Sequence, residues 1–221
     1  MPLSQLPAAP NCALLVIDMQ YDFMPGGRLA VPDGEAVLPL INRLGERFTR
    51  VILTQDWHPA GHISFASSHP GCTPFESITL PYGPQTLWPD HCVQGSQGSQ
   101  LHTDLNLPHT QLIVRKGFNA HIDSYSAFME ADRSTTTGLA GYLKERGIDT
   151  LFVVGLALDF CVSWSAQDAR KAGFTTYVIE DACRAIDMNG SLENAWQAML
   201  ACGVNRVQSN VFLERASGLH E

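Results

Sequence analysis

The chain has 221 residues, with 14 Lys and Arg against 22 Asp and Glu and a formal net charge of -8 at pH 7. Hydrophobic residues make up 45% and charged residues 16%, too apolar for a disordered chain and enough for a sizeable core. The acidic balance argues against nucleic acid or an anionic membrane as a partner. The longest apolar runs, Cys12–Ile17 and Leu151–Leu158, are too short to span a bilayer.

The first residues lack the basic, apolar and small-residue regions of a secretion signal. Six cysteines (Cys12, Cys72, Cys92, Cys161, Cys183 and Cys202) form no Cys-x-x-Cys pair, which reads as reduced thiols in a cytoplasm. One cytoplasmic domain over residues 1–221 is expected. Homo-oligomerisation stays open, since no exposed stripe demands it.

Short apolar runs bounded by turn residues alternate with helical periodicity. Cys12–Ile17 predicts a buried strand ending at Asp18. Over Glu35–Phe48, Val37, Leu38, Ile41, Leu44 and Phe48 share one helical face, and Pro39 fits only in a first turn, where its missing N–H costs little. Val51–Leu53 predicts a second strand running into Asp56. From Trp57 to about Gln111 the sequence is rich in Gly, Pro, Ser and His, and a loop region over about 57–111 is expected to wall a pocket. Leu112–Val114 predicts a third strand leading to Lys116, followed by a helix over Gly138–Arg146. Leu151–Val154, Gly155 and a helix over Phe160–Ala172 come next, then a strand over Thr175–Ile179. Leu192, Ala195, Trp196, Met199 and Leu200 form a helical stripe with Ser191 as its N-cap, and Val204, Val207 and Val211 suggest a last short strand. Continuous apolar strands separated by helices imply a doubly wound α/β fold. Its mainly parallel sheet of five to six strands carries helices on both faces, in three layers α/β/α.

In such sheets ligands bind beyond the carboxyl ends of the strands. Asp18, Asp56, Lys116 and Cys161 all sit at or just past such ends. Cys161 falls near a helix start, where free N–H groups and the helix dipole favour a thiolate; the plainer alternative, a buried cysteine acting as a small hydrophobe, suits Cys12, Cys183 and Cys202 better. Asp18 ends an apolar strand, where an acid needs a partner. A carboxylate, a lysine and a thiol together suit nucleophilic catalysis, with the acid taking the thiol proton and the lysine keeping the acid ionised. Asp56 and His58 form an Asp-x-His pair, with His62, Ser64 and His91 further on, while His69 reads as solvent-exposed loop. One more histidine would complete a two-His, one-carboxylate set suited to Zn, Fe or Mn. Phe23, Trp88 and Tyr125 are loop aromatics near these groups. No Walker loop, Gly-x-Gly-x-x-Gly or Gly-x-Ser-x-Gly is present, so nucleotide phosphates are not expected ligands.

The segments Asp18-Met19-Gln20-Tyr21-Asp22-Phe23, Asp56-Trp57-His58-Pro59-Ala60-Gly61-His62-Ile63-Ser64-Phe65, Trp88-Pro89-Asp90-His91-Cys92-Val93, Lys116-Gly117 and Gly155-Leu156-Ala157-Leu158-Asp159-Phe160-Cys161-Val162 resemble, in this order, those of the nicotinamidases (pyrazinamidases). These belong to the cysteine-hydrolase superfamily named after isochorismatase. The resemblance runs from about Ala13 to Val207. It implies Asp18 as general base, Cys161 as nucleophile and Lys116 as third catalytic residue. It further implies Asp56, His58 and His91 as metal ligands, with Ser64 at the position of a fourth and His62 as the weaker candidate. A cis peptide before Ala157 is implied, with the N–H groups of Ala157 and Cys161 as oxyanion hole. Phe23, Leu29, Trp88 and Tyr125 match substrate-pocket positions. The sequence departs at Leu158, where the family often has Thr.

The implied reaction is hydrolysis of nicotinamide to nicotinate and ammonia through a cysteine thioester. One divalent metal ion, zinc first and iron or manganese otherwise, would orient the ring, and pyrazinamide would be a second substrate. Two alternatives stand beside it. One is a metal-free relative acting on a ureido or carbamoyl amide or on an isochorismate-type vinyl ether. The other is a non-catalytic binding module that keeps the pocket.

Overall fold

Six consecutive apolar residues, Cys12–Ile17, form the buried strand β1. Their alternating side chains separate two cores, with Cys12, Leu14 and Val16 in one and Ala13, Leu15 and Ile17 in the other. Burying one such aliphatic side chain stabilises by roughly 1.5–3 kcal/mol, so a strand buried on both faces belongs in the middle of a sheet. The computed structural model, which describes residues 2–213, places it there. β1 pairs in parallel with β2 (Val51–Asp56) on one side and with β6 (Thr150–Leu156) on the other. β5 (Thr110–Lys116), β7 (Thr175–Arg184) and β8 (Asn205–Val207) complete a six-stranded parallel sheet ordered β5-β2-β1-β6-β7-β8. Helix α1 (Leu38–Gly45) and the short α5 (Asn210–Leu213) contribute Leu38, Ile41, Leu44 and Phe212 to one core. Helices α2 (Leu139–Glu145), α3 (Ser163–Lys171) and α4 (Ser191–Ala201) contribute to the other. The doubly wound three-layer expectation is met, with six strands.

Several boundaries differ from the sequence expectation for local reasons. The helix expected over Glu35–Phe48 is a 3₁₀ turn, Gly34–Val37, followed by α1, which starts just before Pro39. That start puts the proline in a first turn, the position it tolerates. Ser191 is not an N-cap: Gly190, at φ +79°, precedes α4, and Ser191 opens the helix with its hydroxyl 2.5 Å from Asp159 Oδ2. Val211 lies in α5 and Val204 precedes β8, so only Val207 of that trio is in a strand. The loop region carries an antiparallel hairpin of β3 (Ser77–Leu80) and β4 (Gly83–Thr86), whose half-exposed residues give no apolar alternation. Residue 1 and residues 214–221 of the expected 1–221 domain lie outside the described residues. No helix among the described residues is long and apolar enough to cross a membrane.

The sheet is wound outward from its centre. From β1 the chain proceeds to β2 and β5, and from β6 to β7 and β8. The winding direction therefore reverses between β1 and β6, and the carboxyl ends of these two strands open a crevice.

Candidate active site

Four strands end on this crevice, and each delivers one reactive group. Asp18 follows β1, Asp56 closes β2, Lys116 closes β5, and the segment after β6 carries Cys161. Asp18 and Lys116 are essentially fully buried and Cys161 nearly so. Lys116 Nζ stands at their centre, 2.7 Å from Asp18 Oδ2, 3.0 Å from Asp56 Oδ1, 3.4 Å from Cys161 Sγ and 3.2 Å from the Ser124 carbonyl. Burial works against its ammonium, but the Asp18 and Asp56 carboxylates outweigh that and hold its pKa well above the ordinary lysine value.

Burial pushes Asp18 above the usual carboxylate range, opposed by Lys116, and the Asp56 charge adds to the rise. Burial also pushes the Cys161 thiol well above its ordinary value, again opposed by Lys116 and reinforced by Asp18. The expected thiolate at a helix start is thus corrected. Cys161 sits in a π-helical turn, Leu158–Val162, ahead of α3, and desolvation by burial outweighs the Lys116 cation beside it. The resting thiol keeps its proton beside a carboxylate that can accept it.

The peptide Leu156–Ala157 is cis. Ala157 and Cys161 line one cavity with Phe23, Leu29, Trp88 and Tyr125. The wall aromatics are fixed by contact: Trp88 Nε1–H donates to the Tyr125 hydroxyl at 2.9 Å, and the Phe160 ring meets Trp88 edge-on at 4.9 Å. Phe160 and Ile186 also line the cavity and were not singled out from the sequence.

The second constellation shares Asp56, which is buried like His58 and His91. His58 Nε2 and His91 Nε2 lie 3.0 and 3.2 Å from Asp56 Oδ2. On the far side of each ring, His58 Nδ1 lies 2.9 Å from the Gly117 carbonyl and His91 Nδ1 2.8 Å from that of Pro89. A carbonyl only accepts, so both rings carry hydrogen on Nδ1, and Nε2 is the atom each ring turns towards the carboxylate oxygen. Burial lowers the His58 pKa, but the Asp56 charge outweighs it and raises the value, so His58 Nε2 holds a proton there until a metal displaces it. Two imidazole nitrogens and a carboxylate oxygen thus converge on one point, a donor set that, in place of the proton, a divalent cation can take. The spacing also suits one, since tetrahedral ligands at 2.0–2.1 Å stand about 3.3 Å apart. The residues therefore fit a divalent metal.

Ser64 is buried close by. His62 Nε2–H donates to the Asn119 carbonyl at 2.9 Å, so its Nδ1 accepts the Ser64 hydroxyl hydrogen at 2.7 Å and leaves the serine oxygen its lone pairs. His58, His62 and Asp123 form an overlapping cluster. His69 Nε2–H donates to the Ile63 carbonyl at 2.7 Å, and His69 takes no part in either cluster.

Further buried polar groups hold the site. Gln20 clamps Asp56 from both sides, accepting its N–H at 2.7 Å and donating to its carbonyl at 2.8 Å. Asp22 accepts the Cys92 N–H at 2.7 Å. Asp159 accepts from the Ile186 and Asp187 N–H groups and the Ser191 hydroxyl, which ties the Cys161 turn to the Ile186 segment. Their sequence signal is a polar residue two to four positions from a candidate acid or cysteine, inside the segments that carry the resemblance.

The model of the isochorismatase domain matches residues 12–210 of the chain. A nicotinamidase of Acinetobacter baylyi is 64% identical over 205 residues, covering 93% of this chain and 96% of that one. A solved Acinetobacter baumanii nicotinamidase and pyrazinamidase superposes with a TM-score of 0.91 at 63% identity, covering 91% of this chain and 98% of that one. PnC1 of L. infantum, solved with nicotinate, gives 0.81 at 38% identity, covering 94% and 98%. The pyrazinamidase of Pyrococcus horikoshii, solved with zinc, gives 0.74 at 34% identity, covering 90% and 99%.

Proposed function

The chain belongs to the isochorismatase family, and we propose that it is an amidohydrolase converting nicotinamide to nicotinate and ammonia, with pyrazinamide as a second substrate, in a single domain. The observation that carries this is Lys116 Nζ held between Asp18, Asp56 and Cys161, the last two of which line an aromatic cavity. Cys161 is the nucleophile. Asp18 Oδ2 takes the thiol proton as sulfur attacks the carboxamide carbon, and Lys116 keeps Asp18 ionised beforehand. The N–H groups of Ala157 and Cys161 hold the developing oxyanion, each worth on the order of 3 kcal/mol. Asp18 returns its proton to the departing nitrogen, which leaves as ammonia. It then removes a proton from the water that cleaves the thioester. Phe23, Leu29, Trp88 and Tyr125 enclose the ring and hold the amide near the sulfur.

Asp56, His58 and His91 would hold one divalent cation, with the Ser64 hydroxyl as a further ligand. Zinc is our assignment, supported by the His₂-carboxylate set and by a relative solved with it. Bound there, the ion supplies a Lewis-acid anchor for the ring nitrogen. The test is ammonia release from nicotinamide by the purified protein, by Cys161→Ala, and by protein stripped with chelator and resupplied with Zn, Fe or Mn. Release that vanishes with Cys161→Ala and with chelation is expected. Near-normal release by Cys161→Ala would overturn the nucleophile assignment, and no release under any metal would overturn the substrate.

A further inference from the structure

Thr54 sits on β2 among Ile52, Leu53 and Gln55 and is fully buried. A hydroxyl in that position costs free energy unless both its hydrogen and its lone pairs are used. Here they are: its O–H donates to Asp18 Oδ1 at 2.6 Å, and its oxygen accepts the Asp18 backbone N–H at 3.0 Å. Held from two directions, the hydroxyl has no freedom to rotate away. Asp18 follows β1 at φ +48°, in the left-handed region. Its other oxygen, Oδ2, has Lys116 Nζ at 2.7 Å as an ion-pair partner but no aligned hydrogen-bond donor. The two oxygens of one carboxylate are thus made unequal, one saturated by a neutral donor and one left with an accepting lone pair.

We propose that Thr54 is a positioning residue for the proton transfer between Cys161 and Asp18, committing Oδ1 so that Oδ2 receives the thiol proton. The inference rests on the amidase reading given above. In the step it serves, the S–H bond breaks, an O–H bond forms on Oδ2, and the electron pair stays on sulfur to bond the carboxamide carbon. A carboxylate turns easily about its last torsion, which is broad and two-fold. Without the threonine hydroxyl, Lys116 is the main remaining restraint, and nothing commits Oδ1 in place of the oxygen that shares Lys116 Nζ with the thiol.

Two substitutions separate positioning from packing. Thr54→Val keeps the shape and removes the hydroxyl; Thr54→Ser keeps the hydroxyl and removes the methyl. Each variant is assayed for kcat and KM on nicotinamide, for the rate at which iodoacetamide alkylates Cys161, and for melting temperature. Thr54→Val is expected to lose at least about 30-fold in kcat, the scale of a misplaced catalytic group, with KM little changed and alkylation slowed. Thr54→Ser is expected to stay close to the unsubstituted protein. The reverse order, an active valine and an impaired serine, would assign Thr54 to packing and overturn the proposal, as would two fully active variants. Thr54→Ala reads the same loss if the valine variant does not fold. If the unsubstituted protein releases no ammonia but valine still slows alkylation, the substrate assignment fails and the positioning role stands.

Discussion

Gly155 pairs with Ile17 across the β1–β6 boundary, at φ +112°, where only glycine is at ease. A Cβ added there would fall onto the Ile17 carbonyl oxygen and come within 2.8 Å of the Ile17 nitrogen. Both are backbone atoms of the central strand and cannot swing aside. Gly155→Ala must therefore strain its own backbone, at roughly 1–3 kcal/mol, and spread the two strands as well. A total of about 4 kcal/mol is expected, placing it among the strongly destabilising substitutions. In a chain of this size each kcal/mol lowers the melting temperature by about 2–4 °C, so a fall on the order of 10 °C should follow. The same spreading would move Asp18, one residue past Ile17, away from Cys161, so kcat should fall about 100-fold even well below the melting point. Thermal melts by circular dichroism and ammonia release in the cold measure the two effects separately. A variant that melts within about 2 °C of the parent with full kcat would refute the assigned role of this glycine.

Gly117 has a similar constraint with a different consequence. At φ +70°, its added Cβ would lie 2.5 Å from His58 Cε1, so Gly117→Ala should displace that ring and lower the bound metal per chain, read by elemental analysis. His62 makes stability depend on pH. Burial first, and the neighbouring His58 second, push its pKa down to about 4, against about 6.5 in an unfolded chain. The unfolded state therefore binds the proton first. The stability His62 contributes is complete above about pH 6.5 and is lost as pH falls through about 4. The denaturant midpoint should fall as pH drops from about 6.5 towards 4, and His62→Gln should flatten that pH dependence.

The sheet was legible because burial on both faces writes itself as uninterrupted apolar runs, as in Cys12–Ile17 and Leu151–Val154. Strand ends were less legible. β7 runs on to Arg184 through Glu180 and Asp181, polar residues that no hydrophobic pattern extends over. The hairpin at Ser77–Thr86 was invisible for the same reason, since its side chains pack too little to leave a period. The reactive side chains could be nominated by their place after strands, but not their partners. Thr54 looks like any β-branched strand residue, and Gln20 like any loop polar residue. Their significance lies in pairing across 36 positions, Thr54 with Asp18 and Gln20 with Asp56, which only the folded chain brings about.

The two constellations that the sequence presents separately meet in a single carboxylate. Asp56 Oδ1 faces Lys116 at 3.0 Å, while Oδ2 faces His58 and His91. Asp56→Asn keeps the shape, and the Gln20 clamp acts on the backbone, so the turn itself should survive. The amide must nevertheless turn an N–H₂ towards either the lysine ammonium or the two imidazole Nε2 atoms, and a neutral ligand replaces an anionic one. Metal content and nicotinamide turnover should both collapse. The thiol should respond in the opposite sense. The Asp56 charge helps to raise the pKa of Cys161, so removing it leaves Lys116 less balanced and the thiolate easier to form. Iodoacetamide should therefore alkylate Cys161 several-fold faster in Asp56→Asn than in chelator-stripped parent protein near neutral pH, in an enzyme that no longer turns over. Equal rates in the two would show that Asp56 acts only through the metal, and a slower variant would contradict the electrostatic coupling drawn through Lys116.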